Sequence, residues 1–204
     1  MGAALLFIGL AVLGAWLIRR IAFAPTGRQI RARLFRAFAD RHDGRVEGLP
    51  SSPSSRLVPP LRAVATIGGI EVTIAEGHAV HAVQDVRFVV MAGCPRCPDL
   101  GLLGRSTQGL ARFVSTPTAI AFDFDARWST STTDEAWARG LLDDTLRELA
   151  DAIPRASEVR VQSERVELRV LDGVRDDETL DACVTFVVAM VEHIRARTGQ
   201  PLVE

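Results

Sequence analysis

The chain has 204 residues, a formal net charge of -1 and a sequence pI ≈ 6.4. That balance leaves no overall electrostatic footprint for nucleic acid, and three cysteines are too few for a disulfide scaffold. Lys, Asn and Tyr are absent, so all 24 Lys+Arg residues are Arg; the missing types share AT-rich codons, which points to a GC-rich bacterial genome rather than to a binding role.

The first 24 residues carry the strongest signal. Met1 to Ile18 is an apolar run without a charged side chain, Arg19 and Arg20 close it, and Ile21, Ala22 and Phe23 follow. Roughly 20 apolar residues span a hydrocarbon core, and an arginine near a helix end snorkels its head to the interface. Residues 1–24 are therefore expected to form a transmembrane anchor, with 25–204 as one soluble domain. The rival is a cleaved signal peptide ending at Ala22-Phe23-Ala24. It lacks a positive n-region, has two arginines before the cleavage point, and would leave Pro25 first in the mature chain. All nearby arginines lie on the C-terminal side of the span, so the positive-inside bias predicts a single-pass inner-membrane protein with its N-terminus outside and the domain in the cytoplasm. Arg19, Arg20, Arg28 and Arg31 form the expected membrane-interface cluster, with anionic lipid headgroups as counter-charge.

Next in order, Thr26 to Arg41 has helical spacing at Ile30, Leu34, Ala37 and Phe38, with Gly44 as a stop. The spacing favours packing on the domain over lying in the lipid interface. Leu49 to Pro60 is a Ser- and Pro-rich connector. Ala63 to Ile67 and Ile70 to Ala75 flank Gly68-Gly69, a two-residue hairpin turn. Ala82 to Met91 reads as a third strand, Gly93 to Thr118 as loop, and Ala119 to Trp128 as a long fourth strand with Phe122, Phe124 and Trp128 pointing inward. A helix then opens at Thr132-Thr133-Asp134-Glu135 with capping-box spacing and carries Leu142, Leu146, Leu149 and Ile153 to Pro154. Val159, Val161, Val166, Leu168 and Val170 make a hairpin around Ser163-Glu164, with Arg160 facing Glu167. The last helix opens at Asp176-Asp177-Glu178, is striped by Leu180, Val184, Val187, Val191 and Ile194, includes Cys183 as a core residue, and stops at Gly199. Antiparallel groups without βαβ alternation predict an α+β domain with a meander, a hairpin and about three helices.

Phe124-Asp125-Ala126-Arg127-Trp128-Ser129-Thr130, then Asp134, Ala138, Leu141 and Leu142, resembles a motif of a large uncharacterised bacterial family of N-terminally membrane-anchored proteins. The family pattern runs F-x-x-x-F-x-V-x-x-x-D-x-x-x-A-x-x-L-L, and the match covers about residues 118–170. Trp128 replaces the second aromatic, Thr130 stands where Val is usual, and extra residues precede Asp134. The resemblance implies an anchored α+β domain and brings no catalytic residue with it.

Cys94-Pro95-Arg96-Cys97 is the sharpest chemical motif, with the spacing of a redox pair or half a zinc site. His78-x-x-His81 is the obvious second ligand pair. A continuous strand over 82–91 would hold the pairs apart by roughly 33 Å at 3.3 Å per residue, too far for one ion. The acidic pairs Asp123/Asp125, Asp143/Asp144 and Asp176/Asp177 each have local explanations as strand-face, helix-surface and helix-start residues, and His193 lies beside a helix core stripe. No phosphate loop, nucleophile elbow, zinc-protease motif or dinucleotide fingerprint is present. The expected function is thus a non-catalytic, membrane-anchored domain that binds a protein partner or scaffolds an envelope complex, touching lipid through its N-terminal helix and using no cofactor and no nucleic acid. The alternative is a thiol-redox or metal-binding module built on Cys94 and Cys97.

The arginine asymmetry generates the first prediction. A C-terminal fusion to a fluorescent protein should glow in intact cells, and the matching alkaline phosphatase fusion should be inactive. The reverse pattern would overturn the orientation.

Overall fold

The computed structural model describes residues 27–48, 60–76, 88–104, 120–171 and 173–199. The expected span, 1–24, lies outside them. Among the described residues no helix is long and apolar enough to cross a membrane.

Among the described residues nine strands form a single sheet, and every neighbouring pair is antiparallel. They are β1 (Arg45–Glu47), β2 (Arg62–Ile67), β3 (Ile70–Ala75), β4 (Phe88–Gly93), β5 (Leu100–Gly104), β6 (Ile120–Asp125), β7 (Trp128–Thr132), β8 (Ser157–Gln162) and β9 (Arg165–Val170). The helices are α1 (Gly27–Arg41), α2 (Glu135–Leu141), α3 (Asp144–Ala152) and α4 (Asp177–Thr198). The α+β class and the antiparallel sheet match the sequence reading. The spatial order is β1-β2-β3-β4-β9-β8-β5-β7-β6, so the β8–β9 hairpin is inserted between β4 and β5.

Register explains the core. Ile74, Val90, Leu168, Val159, Leu102 and Thr130 lie in one cross-strand row; Val72, Ala92, Val166, Val161, Leu100 and Thr132 form the next. All twelve are buried. Alternation of period 2 puts them on one face, and α4 lies across it, packing on β3, β4 and β9. The other helices each touch α4. On α4, Leu180, Cys183, Val184, Phe186, Val187, Met190, Val191 and Ile194 are buried. Asp176 caps its start by accepting the Thr179 N–H at 2.7 Å, and Gly199 ends it in the left-handed region.

Helix α1 packs on the domain, on β1, β2 and α4. Its buried stripe is Leu34, Phe35, Phe38 and Ala39, with the Phe35 ring edge-on to Phe88 at 5.8 Å. Arg31 ties the helix to the end of β3: its Nε donates to Glu76 Oε1 at 2.8 Å, and the Leu61 N–H donates to the other carboxylate oxygen at 3.0 Å.

Four expectations need correction. The stretch 93–118 contains a central strand, β5, which two glycines in Leu100-Gly-Leu-Leu-Gly104 conceal from a propensity reading. The glycines are needed because the backbone is crowded. A Cβ at Gly101 would lie 2.8 Å from Ser131 Oγ, and one at Gly104 would lie 3.2 Å from the Ser157 carbonyl and still closer to that of Arg155. The strand expected over 119–128 is two strands, β6 and β7, joined at Ala126-Arg127, with an irregularity between Asp123 and Asp125. The helix expected from 132 to 153 breaks into α2 and α3 because Asp143 turns to cap the second, accepting the Leu146 N–H at 3.0 Å. The cap of α2 is Asp134, which accepts from Trp137 N at 3.0 Å; Thr132 instead donates to the Asp99 carbonyl at 2.8 Å. The short edge strand β1 was also not foreseen. Of the expected strand 82–91, only 88–91 falls within the described residues.

The expected inward side chain of Trp128 is 1% exposed. Trp128→Ala should cost roughly 3–5 kcal/mol, the usual range for emptying a large aromatic site. Ser131→Ala, three residues on and facing the other side of the sheet, should stay within about 0.5 kcal/mol. Urea unfolding followed by circular dichroism reads both, and equal losses would contradict the assigned faces.

Candidate functional site

The segment 94–99 is a strap that leaves β4 and enters β5. In the sheet those strands are separated by β9 and β8, so the strap must cross the tip of the hairpin. The crossing is pinned at both ends. The Cys94 N–H donates to the Glu164 carbonyl at 2.9 Å. At the far end the Asp99 N–H donates to Thr133 Oγ1 at 3.1 Å, and the Asp99 carbonyl accepts from Thr133 N and Thr132 Oγ1.

Cys94 and Cys97 stand on this strap, half-buried and packed against the core. Each thiol lies close enough to the other to influence its titration. Burial pushes the Cys94 thiol up to about 12, with the neighbouring Cys97 and Glu164 acting the same way and Arg195 opposing. Burial also raises Cys97, against the influence of Cys94. Both thiols are thus held protonated at neutral pH, unlike the depressed thiols of disulfide oxidoreductases. Among the described residues no group of three or more His, Cys, Asp and Glu side chains is placed to hold a metal. His78 and His81 lie outside the described residues.

The acidic pairs are dispersed. Asp143 and Asp176 are helix caps, and Asp123 and Asp125 belong to β6. Backbone N–H donation holds both cap carboxyls below the usual range: from Leu146 to Asp143, with a smaller push from His193, and from Thr179 to Asp176. His193, beside the core stripe of its helix, has a definite structural job. Its Nδ1 faces the Ala189 carbonyl at 2.8 Å and its Nε2 faces Asp143 Oδ2 at 3.1 Å, tying α4 to the cap of α3. Sequence reading missed this pair because the partners are 50 positions apart. Of the membrane-interface arginines, Arg19 and Arg20 lie outside the described residues, Arg28 is in the first turn of α1, and the Arg31 guanidinium is engaged by Glu76.

The sheet face away from the helices carries a second grouping. Val89, Arg169, Glu158 and Leu103 lie in one row, and Met91, Glu167, Arg160 and Gly101 in the next. Arg160 pairs with Glu158 at 2.7 Å, Arg169 with Glu167 at 2.8 Å and with Glu158 at 3.7 Å. The expected Arg160–Glu167 register is present, but each arginine makes its tighter pair along its own strand.

No protein-family profile matches the chain, and no curated protein does. Its fold is similar to that of a solved structure, the crystal structure of the mycobacterial trehalose monomycolate transport factor A, TtfA. The TM-score is 0.58 at 14% sequence identity, over 84% of this chain and 97% of that one.

The caps set an acid limit. A carboxyl whose folded pKa is depressed contributes stability above its unfolded value near 4, and that contribution is lost as pH falls through the lower folded value. Asp143→Ala or Asp176→Ala should each cost about 1 kcal/mol at pH 7. The double Asn variant keeps the caps but lacks these titrations, so it should lose less stability than wild type between pH 5 and pH 2. Urea midpoints across that range test this, and an unchanged acid limb would contradict it.

Proposed function

We propose that this chain is a non-catalytic, envelope-associated domain, anchored in the inner membrane through residues 1–24, that binds a protein partner or scaffolds an envelope complex from the cytoplasmic side. The observation that carries this reading is the fold likeness to a transport factor, which extends over most of both chains. The charge-free N-terminal run and the resemblance at 118–170 to membrane-anchored proteins support the anchor. The placement of the candidate chemical groups supports a binding role: Asp134, Asp143 and Asp176 cap helices, and burial keeps the Cys94 proton in place. The sheet face that no described helix covers is the surface offered to a partner. Its central charges are half-buried and pair with one another, so a partner meets a face whose charges are already balanced.

Two measurements test the reading. The full chain should stay with the membrane pellet after an alkaline carbonate wash. A photoreactive amino acid at Thr66 or Arg165, both exposed on the sheet, should give a discrete protein adduct in cells, whereas one at Glu148 on α3 should not. Recovery in the soluble fraction would remove the anchor. Adducts from Glu148 alone would move the binding surface to the helical side.

A further inference from the structure

We propose that Cys94 and Cys97 close a reversible intramolecular disulfide that locks the 94–99 strap across the tip of the β8–β9 hairpin. The proposal does not depend on what the domain binds.

The strap already holds the pair in place. Cys94 is fixed by its backbone bond to Glu164, and Asp99 is fixed by Thr132 and Thr133. Only four residues lie between those anchor points, two of them prolines, Pro95 and Pro98. Proline locks φ, so the turn has little freedom left to lose on closure. The two cysteines stand two residues apart as free thiols, and partial exposure leaves them open to a small reagent. Cys183, by contrast, is buried in α4 and serves as a built-in control.

Cys97, whose thiol is raised less far than that of Cys94, opens the exchange. The oxidant is a small-molecule disulfide such as glutathione disulfide. Cys97 loses its proton to solvent and attacks one sulfur of the oxidant; that S–S bond breaks, and the departing thiolate takes up a proton. Cys94 then gives up its proton and attacks Cys97 Sγ, expelling the second glutathione thiolate, which is protonated in turn. Two electrons pass from the cysteine pair to the oxidant, two thiols become one disulfide, and two glutathione thiols are released. Because both thiols are held above their ordinary values, closure is slow, as befits a structural lock rather than a catalyst of exchange.

The lock acts beside a conformationally demanding turn. Ser163 and Glu164 form the hairpin turn with φ of 53° and 60°, a left-handed pair without glycine. The strap bonds directly to Glu164, so fixing the strap restrains opening of that turn.

The sequence supplies a convenient readout. Arg87, Arg96 and Arg105 place the two cysteines on neighbouring tryptic peptides, 88–96 and 97–105. The full-length protein is equilibrated with a series of glutathione disulfide to glutathione ratios, quenched in acid, alkylated under native conditions and digested. The expected result is a disulfide-linked 88–96/97–105 species that replaces the two alkylated peptides as the ratio rises and disappears with dithiothreitol. Cys183 should remain a free thiol throughout, and closure should raise the thermal midpoint by roughly 2–4 °C. Cys94→Ser should instead accumulate a glutathione adduct on Cys97. The idea fails if wild type keeps a stable glutathione adduct beside a free thiol, forms intermolecular dimers, or stays fully alkylatable at the most oxidising ratio. It also fails if zinc chloride alone protects both thiols in a chelator-reversible way and oxidant then leaves them unlinked. The wild-type peptide map carries the test, so a variant that misfolds does not weaken it.

Discussion

The fold depends on one insertion: a hairpin made late in the chain, 157–170, fills the middle of a sheet whose flanks are made earlier. Strands β4 and β5 follow each other in sequence and never pair. Three inter-strand steps separate them, about 14 Å at 4.7–4.9 Å per step. The six residues 94–99 reach roughly 20 Å when extended, so the strap makes the crossing with slack for one turn. Neither flank can bury its inner edge until β8 and β9 arrive. The sheet is therefore built from contacts distant in sequence, such as Met91 with Glu167 and Leu102 with Val159. Such topologies close slowly, because the loop entropy is lost before the pairing is gained.

Helix α4 makes the insertion worthwhile. It is the last element described and the most enclosed, lying on the β3–β4–β9 part of the sheet and flanked by α1 and α3. A helix buried on so many sides has little amphipathic character: Phe186 and Met190 are as buried as Leu180 and Val187. Its ends are correspondingly well defined, with Asp176 at the start and Gly199 at the stop. The His193–Asp143 contact and the bond from Arg197 to the Gly140 carbonyl extend that definition sideways to the α2–α3 junction. Arg139 completes the corner by stacking 4.6 Å over the Phe122 ring, which links α2 to β6.

Legibility in the sequence followed how local the cause was. The Gly68-Gly69 turn, the caps of α4 and the period-2 pattern of β8 and β9 depend on neighbours within a few positions, and each was readable. β5 was not, because what makes it a strand is the pair of flanking strands, β7 and β8, that arrive 24 to 61 positions later. Its two glycines, read locally, say loop; in the sheet they admit Ser131 on one side and the Arg155 backbone on the other. The α2–α3 break was masked because Leu142 and Leu146 continue one apolar stripe without a proline between them. The Asp143-Asp144 pair was the available signal, read as helix surface when its first member was a cap. For the candidate site, the Cys94/Cys97 motif was visible, whereas Glu164 and the Asp99 anchor were supplied by the sheet order and Arg195 by the packing of α4.

The same insertion shapes both faces of the molecule. On the helix side it brings Val159, Val161, Val166 and Leu168 to the centre of the core. On the other side the identical strands carry Glu158, Arg160, Glu167 and Arg169, four charges that sum to zero and satisfy one another. A two-residue hairpin alternates so strictly that a slip of one position would exchange the two sets, placing four charges under α4. Taking charges out of water costs several kcal/mol per ion even when they pair, comparable with the whole margin of stability of a domain, so the register is fixed by what the slip would bury as much as by what it exposes. The strap bond from Cys94 to Glu164 holds the turn at that register from outside. It thereby couples the chemistry of the thiol pair to the one strand placement on which both the core and the polar face depend.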